Sequence, residues 1–470
     1  MSELTLLPAV DLLAMLRAAK ISPVELAEEY LREIGRLGPR LNAIVDFDAE
    51  RVRAQAKTVG ASGAPSGPLF GLPMTVKSSI ATAGHRCEMG SLLHRGTVPT
   101  EDAPVVARLR AAGAVLLGTT NCPEFLMAYE TDNRLYGRTA NPWDLERTPG
   151  GSSGGEAAAI AAGISAAGLG SDSGGSVRVP AHFTGICSLK PTPGRIPGRG
   201  HLPPCVGPFS FLGAIGPMAR TVADVALLFQ TLSGADPLDP VAAPVPLRTP
   251  SMEEMQRIPI GFFEDDGLVP VSEETRQAVQ DAAQALRRQG FQVRPFRPKA
   301  LERARQLWWT FFVGTGAIFL APEVRGKEAW LSPTFQDFLA IAQTGPALTA
   351  DALLQAWAEC DLVRSKLLAE MQEFPFLLCP VCSIPAFRHG ERAWSVQGQR
   401  VEYLDAMRYT QWWNLLAAPA AVVPVGRSPE GLPIGVQVMG LPYADEGVLV
   451  LAAAIEREFG YQPPPLAKDG

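Results

Sequence analysis

The sequence predicts an α/β fold: a large mixed, mostly parallel central sheet flanked by helices on both faces, with a helical cap from the middle region. Three observations predict it. Helical and strand patterns alternate through most of the 470 residues. Short apolar segments, GLPMTV (Gly71–Val76) and AVLLG (Ala114–Gly118), read as strands, the second of them buried. A stretch rich in Trp and Phe, Leu301 to Glu373, interrupts the alternation and reads as mostly helical.

Each element has a local cause. Ser22-Pro23-Val24-Glu25 is a capping box with proline at the first helical position. The helix it opens lines Val24, Ala27, Leu31 and Ile34 along one face, which should lie against the core. A Gly/Pro/Ser loop at residues 60–68 precedes GLPMTV, a strand that delivers Lys77 at its C-terminal edge. Ala103 to Ala112 is helix-like, Gly113 suits the position after it, and AVLLG follows as a strand. Helix then strand recurs at Gly155–Ala162 and Ile164–Gly170. Ala235–Pro250 is a proline-rich connector, and IPIGFF (Ile258–Phe263) is a strand. The helix from about Glu273 to Gln289 has acids in its first turn, Arg287 and Arg288 in its last, and Gly290 to stop it. GLPIGVQVMG (Gly431–Gly440) returns to strand, and an amphipathic helix follows from about Ala444 to Phe459. The expected layout is a single domain over 1–470. It comprises a catalytic core at about 65–235, a cap at about 296–375 and a closing core segment at about 376–460.

Composition narrows the function. The chain is 47% hydrophobic and 19% charged with a net charge of −6, which gives no electrostatic footprint for nucleic acid. The most apolar window, LWWTFFVGTGAIFL (Leu307–Leu320), falls short of the about 20 residues a spanning helix needs. It is expected to be a core helix or a pocket wall rather than a transmembrane segment. The first residues carry Glu3 and no unbroken apolar run, so no secretory signal is read there. Seven cysteines, an odd number, argue against a disulfide framework and for a cytoplasmic location. Cys379 and Cys382 form a CxxC, but no second pair or histidine cluster completes a metal site.

The chemistry concentrates between Thr148 and Arg195. Two Gly-Gly-Ser clusters flank a helix of small residues, and glycine that dense lets backbone N–H groups converge on one point. Ser176 follows Ser173-Gly174-Gly175, an arrangement suited to an oxyanion hole. A serine nucleophile needs a base, and the five histidines (His85, His94, His182, His201, His389) offer none in a recognisable setting. His182, near Ser176 in sequence, is expected to be a packing or capping residue. A lysine is the alternative base, provided burial lowers its pKa from about 10.4. Lys77, after an apolar run and before two serines, is the candidate.

GLPMTVK (Gly71–Lys77), PGGSSGGEAAAIAAG (Pro149–Gly163) and GSDSGGSVRVPAHFTGICSLKPTPGR (Gly170–Arg195) resemble the amidase signature hydrolases. NLLAAPAAVVPVG (Asn414–Gly426) with GLPIGVQVMG is similar to the closing region of that family. The resemblance spans roughly Ser22 to Gly460 and is weakest between about Pro244 and Glu373. It implies a Ser-Ser-Lys triad: Ser176 as nucleophile, Ser152 after a cis peptide as proton relay, and Lys77 as base. It also implies an oxyanion hole from the amides of Ser173, Gly174, Gly175 and Ser176. Ser153, Asp172 and Arg178 would support the loop, with no metal and no organic cofactor.

Two departures from the family pattern stand out. Ser78 replaces the common acid after the lysine, and Glu156 stands where many relatives have serine. That Glu recurs in the fatty acid amide hydrolase branch, which Thr120–Gly137 also resembles; there Leu126, Met127 and Tyr129 would line the acyl channel, although apolar residues at these places can equally be core. Trp308, Trp309, Phe311, Phe312, Trp412 and Trp413 hint at an apolar pocket. The expectation is an amidase cleaving C–N bonds of apolar or aryl amides, with esters and carbamates (a urethanase activity) within reach of the same acyl-enzyme. Its partners would be the small-molecule substrate and at most a second copy of itself, as monomer or homodimer. A glutamine amidotransferase-type subunit, working in a partner complex, is the alternative.

Overall fold

The structure, a computed structural model, describes residues 3–61, 66–344 and 347–468. Its strands are β1 (Ile44–Phe47), β2 (Pro73–Lys77), β3 (Val115–Thr120), β4 (Ala167–Asp172), β5 (Cys187–Lys190), β6 (Ala214–Ala219) and β7 (Ile260–Phe262). They continue with β8 (Val293–Pro295), β9 (Phe376–Pro380), β10 (Ala393–Val396), β11 (Gln399–Glu402), β12 (Ala420–Arg427) and β13 (Pro433–Gly440). Eleven of them form one sheet in the order β1-β3-β2-β4-β6-β5-β12-β13-β9-β7-β8, while β10 and β11 pair as a separate hairpin.

The sheet is mixed, with a smaller parallel share than the sequence suggested. β2 runs parallel to both β3 and β4, and β7 runs parallel to β8 and β9. The run from β4 through β6, β5, β12 and β13 to β9 is antiparallel. A short turn joins β12 to β13, and so short a connection can only reverse the chain. Helices cover both faces. Ala421 and Val423 of β12 pack with Val448 and Leu451, whereas Val422, pointing the other way, packs with Ala181 and Phe183.

Local signals set most elements. Ser22 Oγ accepts the Glu25 amide and Glu25 Oε2 accepts the Ser22 amide, closing the capping box of the helix Pro23–Leu41. That helix buries Ala27, Leu31 and Ile34. Residues 62–65 of the Gly/Pro/Ser loop lie outside the described residues. The helix Gly154–Ala161 is buried along its whole length, as its small residues on all sides allow. β4 begins three residues later than expected. Ile164 and Ser165 instead donate their amides to the Ala159 carbonyl and close the preceding helix.

The middle region is helical, and one continuous run, Leu301–Val324, contains a π-helical turn at Thr310–Gly314. The run is longer than the apolar window itself, and by length and composition alone it could cross a membrane. Its Leu307, Trp308, Phe311, Val313 and Leu320 are buried, packing in a core that also holds Trp412 and Trp413.

Candidate active site

β2 and β4 are parallel neighbours, so their C-terminal ends open on the same side of the sheet, where α/β folds place their sites. β2 ends on Lys77 and β4 ends on Ser171 and Asp172. Lys77 is fully buried, and its Nζ donates to Ser152 Oγ at 2.6 Å and to Ser171 Oγ at 3.2 Å. Burial lowers its pKa to about 8, against the opposing pull of Cys122, Asp172, Glu156 and Cys205. Among the described residues no carboxylate is ion-paired with it.

The Gly151–Ser152 peptide bond is cis. At Gly151 a Cβ would sit 2.6 Å from the Ala128 carbonyl oxygen, so only glycine lets this loop pass. Ser153 joins the two serine loops: its amide donates to the Ser176 carbonyl at 3.1 Å, and its hydroxyl accepts the Ser171 amide at 3.3 Å.

The turn before Ser176 is held from behind. Trp308 Nε1 donates to the Ser173 carbonyl at 2.9 Å. Tyr129 Oη at 2.7 Å and Thr410 Oγ1 at 2.6 Å both donate to the Gly174 carbonyl. In a trans peptide the N–H points opposite the C=O, so these bonds aim the Gly174 amide away from Trp308 and the Gly175 amide away from Tyr129 and Thr410. The Gly175 amide is engaged, donating to Asp172 Oδ1 at 2.8 Å. Gly175 has φ +123°, and a Cβ there would sit 2.4 Å from Thr410 Oγ1.

Asp172 and Arg178 form a fully buried, two-pronged pair at 2.9 and 3.0 Å. Burial alone would raise the Asp172 carboxyl; Arg178, with Lys190 and Asn414, outweighs it and holds the group well below the carboxylate range. Glu156 is also buried. It accepts from Thr120 Oγ1 at 2.8 Å and from Thr75 Oγ1, and burial raises its pKa to about 8.

Ser152 and Ser176 open onto a cavity of about 200 Å3. Its walls are Phe125, Leu126 and Met127 on one side, Pro203, Cys205 and Phe209 on another, and Phe312, Gly316, Phe319 and Leu320 from the helical run. Phe125 and Leu126 both have positive φ, +49° and +68°.

Tyr129 does not join Leu126 and Met127 in the wall; it is buried behind the Ser173–Ser176 turn because its hydroxyl is spent on the Gly174 carbonyl. Of the six aromatic residues expected to form the pocket, Phe312 lines it. Trp308, Phe311, Trp412 and Trp413 are core, and Trp309 packs beside Arg305 instead. His182 is a buried packing residue, accepting the Gly435 amide at 2.8 Å and donating to the Ile384 carbonyl at 3.1 Å. Sequence reasoning missed Ser171, although it precedes Asp172 at the end of a strand. It also left His201, Cys205 and Glu323 unassigned at the cavity, and none of these carries a local signal.

The Amidase family profile matches residues 25–449. An indoleacetamide hydrolase from Bradyrhizobium diazoefficiens is 35% identical over 464 residues, covering 96% of this chain and 86% of the relative. A glutamyl-tRNA(Gln) amidotransferase subunit from Roseiflexus castenholzii is 33% identical over 485 residues, covering 97% of each chain. The crystal structure of a bacterial aryl acylamidase of the amidase signature family superposes with a TM-score of 0.84. It is 26% identical, over 96% of each chain. The chain belongs to the amidase signature family, whose enzymes hydrolyse carbon–nitrogen bonds.

Proposed function

We propose that this amidase signature enzyme hydrolyses apolar or aryl amides through Ser176, Ser152 and Lys77, and that the same acyl-enzyme cleaves esters and carbamates. One observation carries the reading: a buried lysine, unpaired with any carboxylate among the described residues, touches a serine that opens with Ser176 onto an apolar cavity.

Neutral Lys77 takes the Ser152 hydroxyl proton while Ser152 takes that of Ser176. Ser176 Oγ then bonds to the substrate carbonyl carbon. The negative charge moves to the carbonyl oxygen, facing backbone amides of the Ser173–Ser176 turn. When the intermediate collapses the C–N bond breaks, and the proton returns from the Lys77 ammonium through Ser152 to the leaving nitrogen. A water molecule repeats the sequence on the ester and releases the acid. The same balance holds for an ester or a carbamate, where the C–O bond breaks and the alcohol leaves with the proton that Ser152 returns.

Likeness to the indoleacetamide hydrolase and the aryl acylamidase supports an aryl-sized substrate. The amidotransferase subunits, similar at nearly the same identity, favour a second reading: release of ammonia from glutamine inside a partner complex. Among the residues lining the cavity none is Arg or Lys, so no cation there meets an amino-acid carboxylate. That favours the first reading. The test is hydrolysis of amides, anilides, carbamates, esters and glutamine by wild type and Ser176→Ala. Cleavage of aryl or apolar amides that the variant abolishes supports it; glutaminase activity alone would replace it with the second.

A further inference from the structure

Lys77 has two hydroxyl neighbours, Ser152 and Ser171, and only Ser152 has a role in the proposed reaction. A neutral amine has two N–H donors and one lone pair. If the lone pair is to take the Ser152 proton, nothing else can donate to it. Ser171 is a hydroxyl and could do so.

His201 settles which way Ser171 points. Its Nδ1 lies 2.8 Å from the Pro203 carbonyl oxygen, and its Nε2 lies 2.8 Å from Ser171 Oγ. A carbonyl only accepts, so Nδ1 carries the proton; in the neutral ring Nε2 then accepts, and Ser171 must donate to it. Burial lowers the His201 pKa to about 4, which keeps the ring neutral. With its proton committed to His201, Ser171 can only accept from Lys77. The imidazole is fixed relative to the lysine by backbone as well. Ala81 donates to the Gly200 carbonyl at 2.8 Å and Leu202 donates to the Ser79 carbonyl at 2.7 Å, tying this loop to the residues just after β2.

We infer that His201 is a positioning residue that acts through Ser171 to aim the Lys77 lone pair at Ser152. The inference rests on the proposed roles of Lys77, Ser152 and Ser176. Without His201 the Ser171 hydroxyl is free to turn and donate to Lys77. That turn stabilises the neutral amine and competes with Ser152 for its lone pair. The other titratable groups that act on Lys77 are Asp172, Glu156, Cys122 and Cys205, none of which the His201 substitutions replace.

The test uses the full chain and a substrate-independent probe, phenylmethylsulfonyl fluoride, followed by intact mass across pH. Labelling forms the Ser176 Oγ–S bond, breaks S–F, releases fluoride and sends the serine proton to Lys77. Ser176→Ala comes first: if it labels as fast as wild type, the proposed function fails whatever His201 does. His201→Ala is expected to slow labelling at the alkaline plateau about tenfold and move its rise to lower pH. His201→Gln, which keeps an acceptor near Nε2, is expected to recover most of both. Where His201→Ala melts early, His201→Phe, which keeps a ring without the acceptor, replaces it, and adding that change to Ser171→Ala should slow labelling no further. Wild-type rate and pH profile in His201→Ala, no rescue by glutamine, or an undiminished His201 effect in the Ser171→Ala background would each overturn the inference.

Discussion

Trp308, in the helical middle of the chain, donates its indole N–H to the Ser173 carbonyl at 2.9 Å, so the cap holds the turn that carries Ser176. A Cβ on Gly174 would lie 2.6 Å from the same indole, which shows how closely the two surfaces meet. Trp308→Phe keeps the ring and removes the donor. It is expected to lower kcat about tenfold with KM little changed, because in the proposed reaction the bond orients the Gly174 amide toward the transition state rather than the substrate. Steady-state kinetics on the best aryl amide decide it; a rise in KM alone would place Trp308 in substrate binding.

Activity should rise with pH through about 8, the value to which burial lowers Lys77. The sign for stability is the same. The unfolded chain binds the lysine proton more tightly than the folded one, so the fold gains stability as pH climbs from about 8 toward 10.5. Lys77→Met removes the buried amine without removing its bulk. At pH 7 it is expected to melt no earlier than wild type while losing activity by more than a thousandfold. A melting temperature well below wild type would show that the ammonium stabilises the fold.

Asp172→Asn leaves Arg178 buried without its anion, and a cost of about 3–5 kcal/mol is expected from such a loss. The Gly175 and Val177 amides, which donate to the two carboxylate oxygens at 2.8 and 3.1 Å, also lose an acceptor between them. Thermal unfolding and kcat should fall together. Because the carboxyl is held below its ordinary range, its contribution is present above about pH 4 and is lost only as pH falls through its lower folded value. Equal stability of Asp172→Asn and wild type at pH 7 would contradict this account.

Gly316 faces the cavity from the helical run. A Cβ there would sit 3.4 Å from Phe209, 3.5 Å from Phe338 and 3.8 Å from Met127, which is ordinary contact. Gly316→Ala should therefore fold, gaining about 0.5–1 kcal/mol of helix stability. It should raise KM several-fold for the bulkiest aryl amides and leave acetamide-sized substrates unaffected. Equal KM changes across substrate sizes would mean that the aryl group lies elsewhere.

Much of the fold was legible in local chemistry. The capping box at Ser22, the strand ending on Lys77, the acid-to-base order of the helix Glu273–Arg288 and the buried strand at Val115 each depend on residues within one element. The two glycine–serine loops were legible for the same reason, since a backbone path that excludes Cβ atoms writes glycine into the sequence. Strand direction was not, because the pairing of β6 with β4 and β5 depends on where the chain returns rather than on what its residues are. The inner supports were not either. Tyr129 and Thr410 meet at the Gly174 carbonyl, and His201 meets Ser171, across long separations in sequence. Sterics and burial act within a few residues, so the small-residue loops and the buried lysine strand follow from the order of amino acids alone. Which aromatic side chains wall the cavity, and which hydroxyl faces which nitrogen, follow from packing between distant segments, because a hydrogen bond depends on direction and packing sets direction.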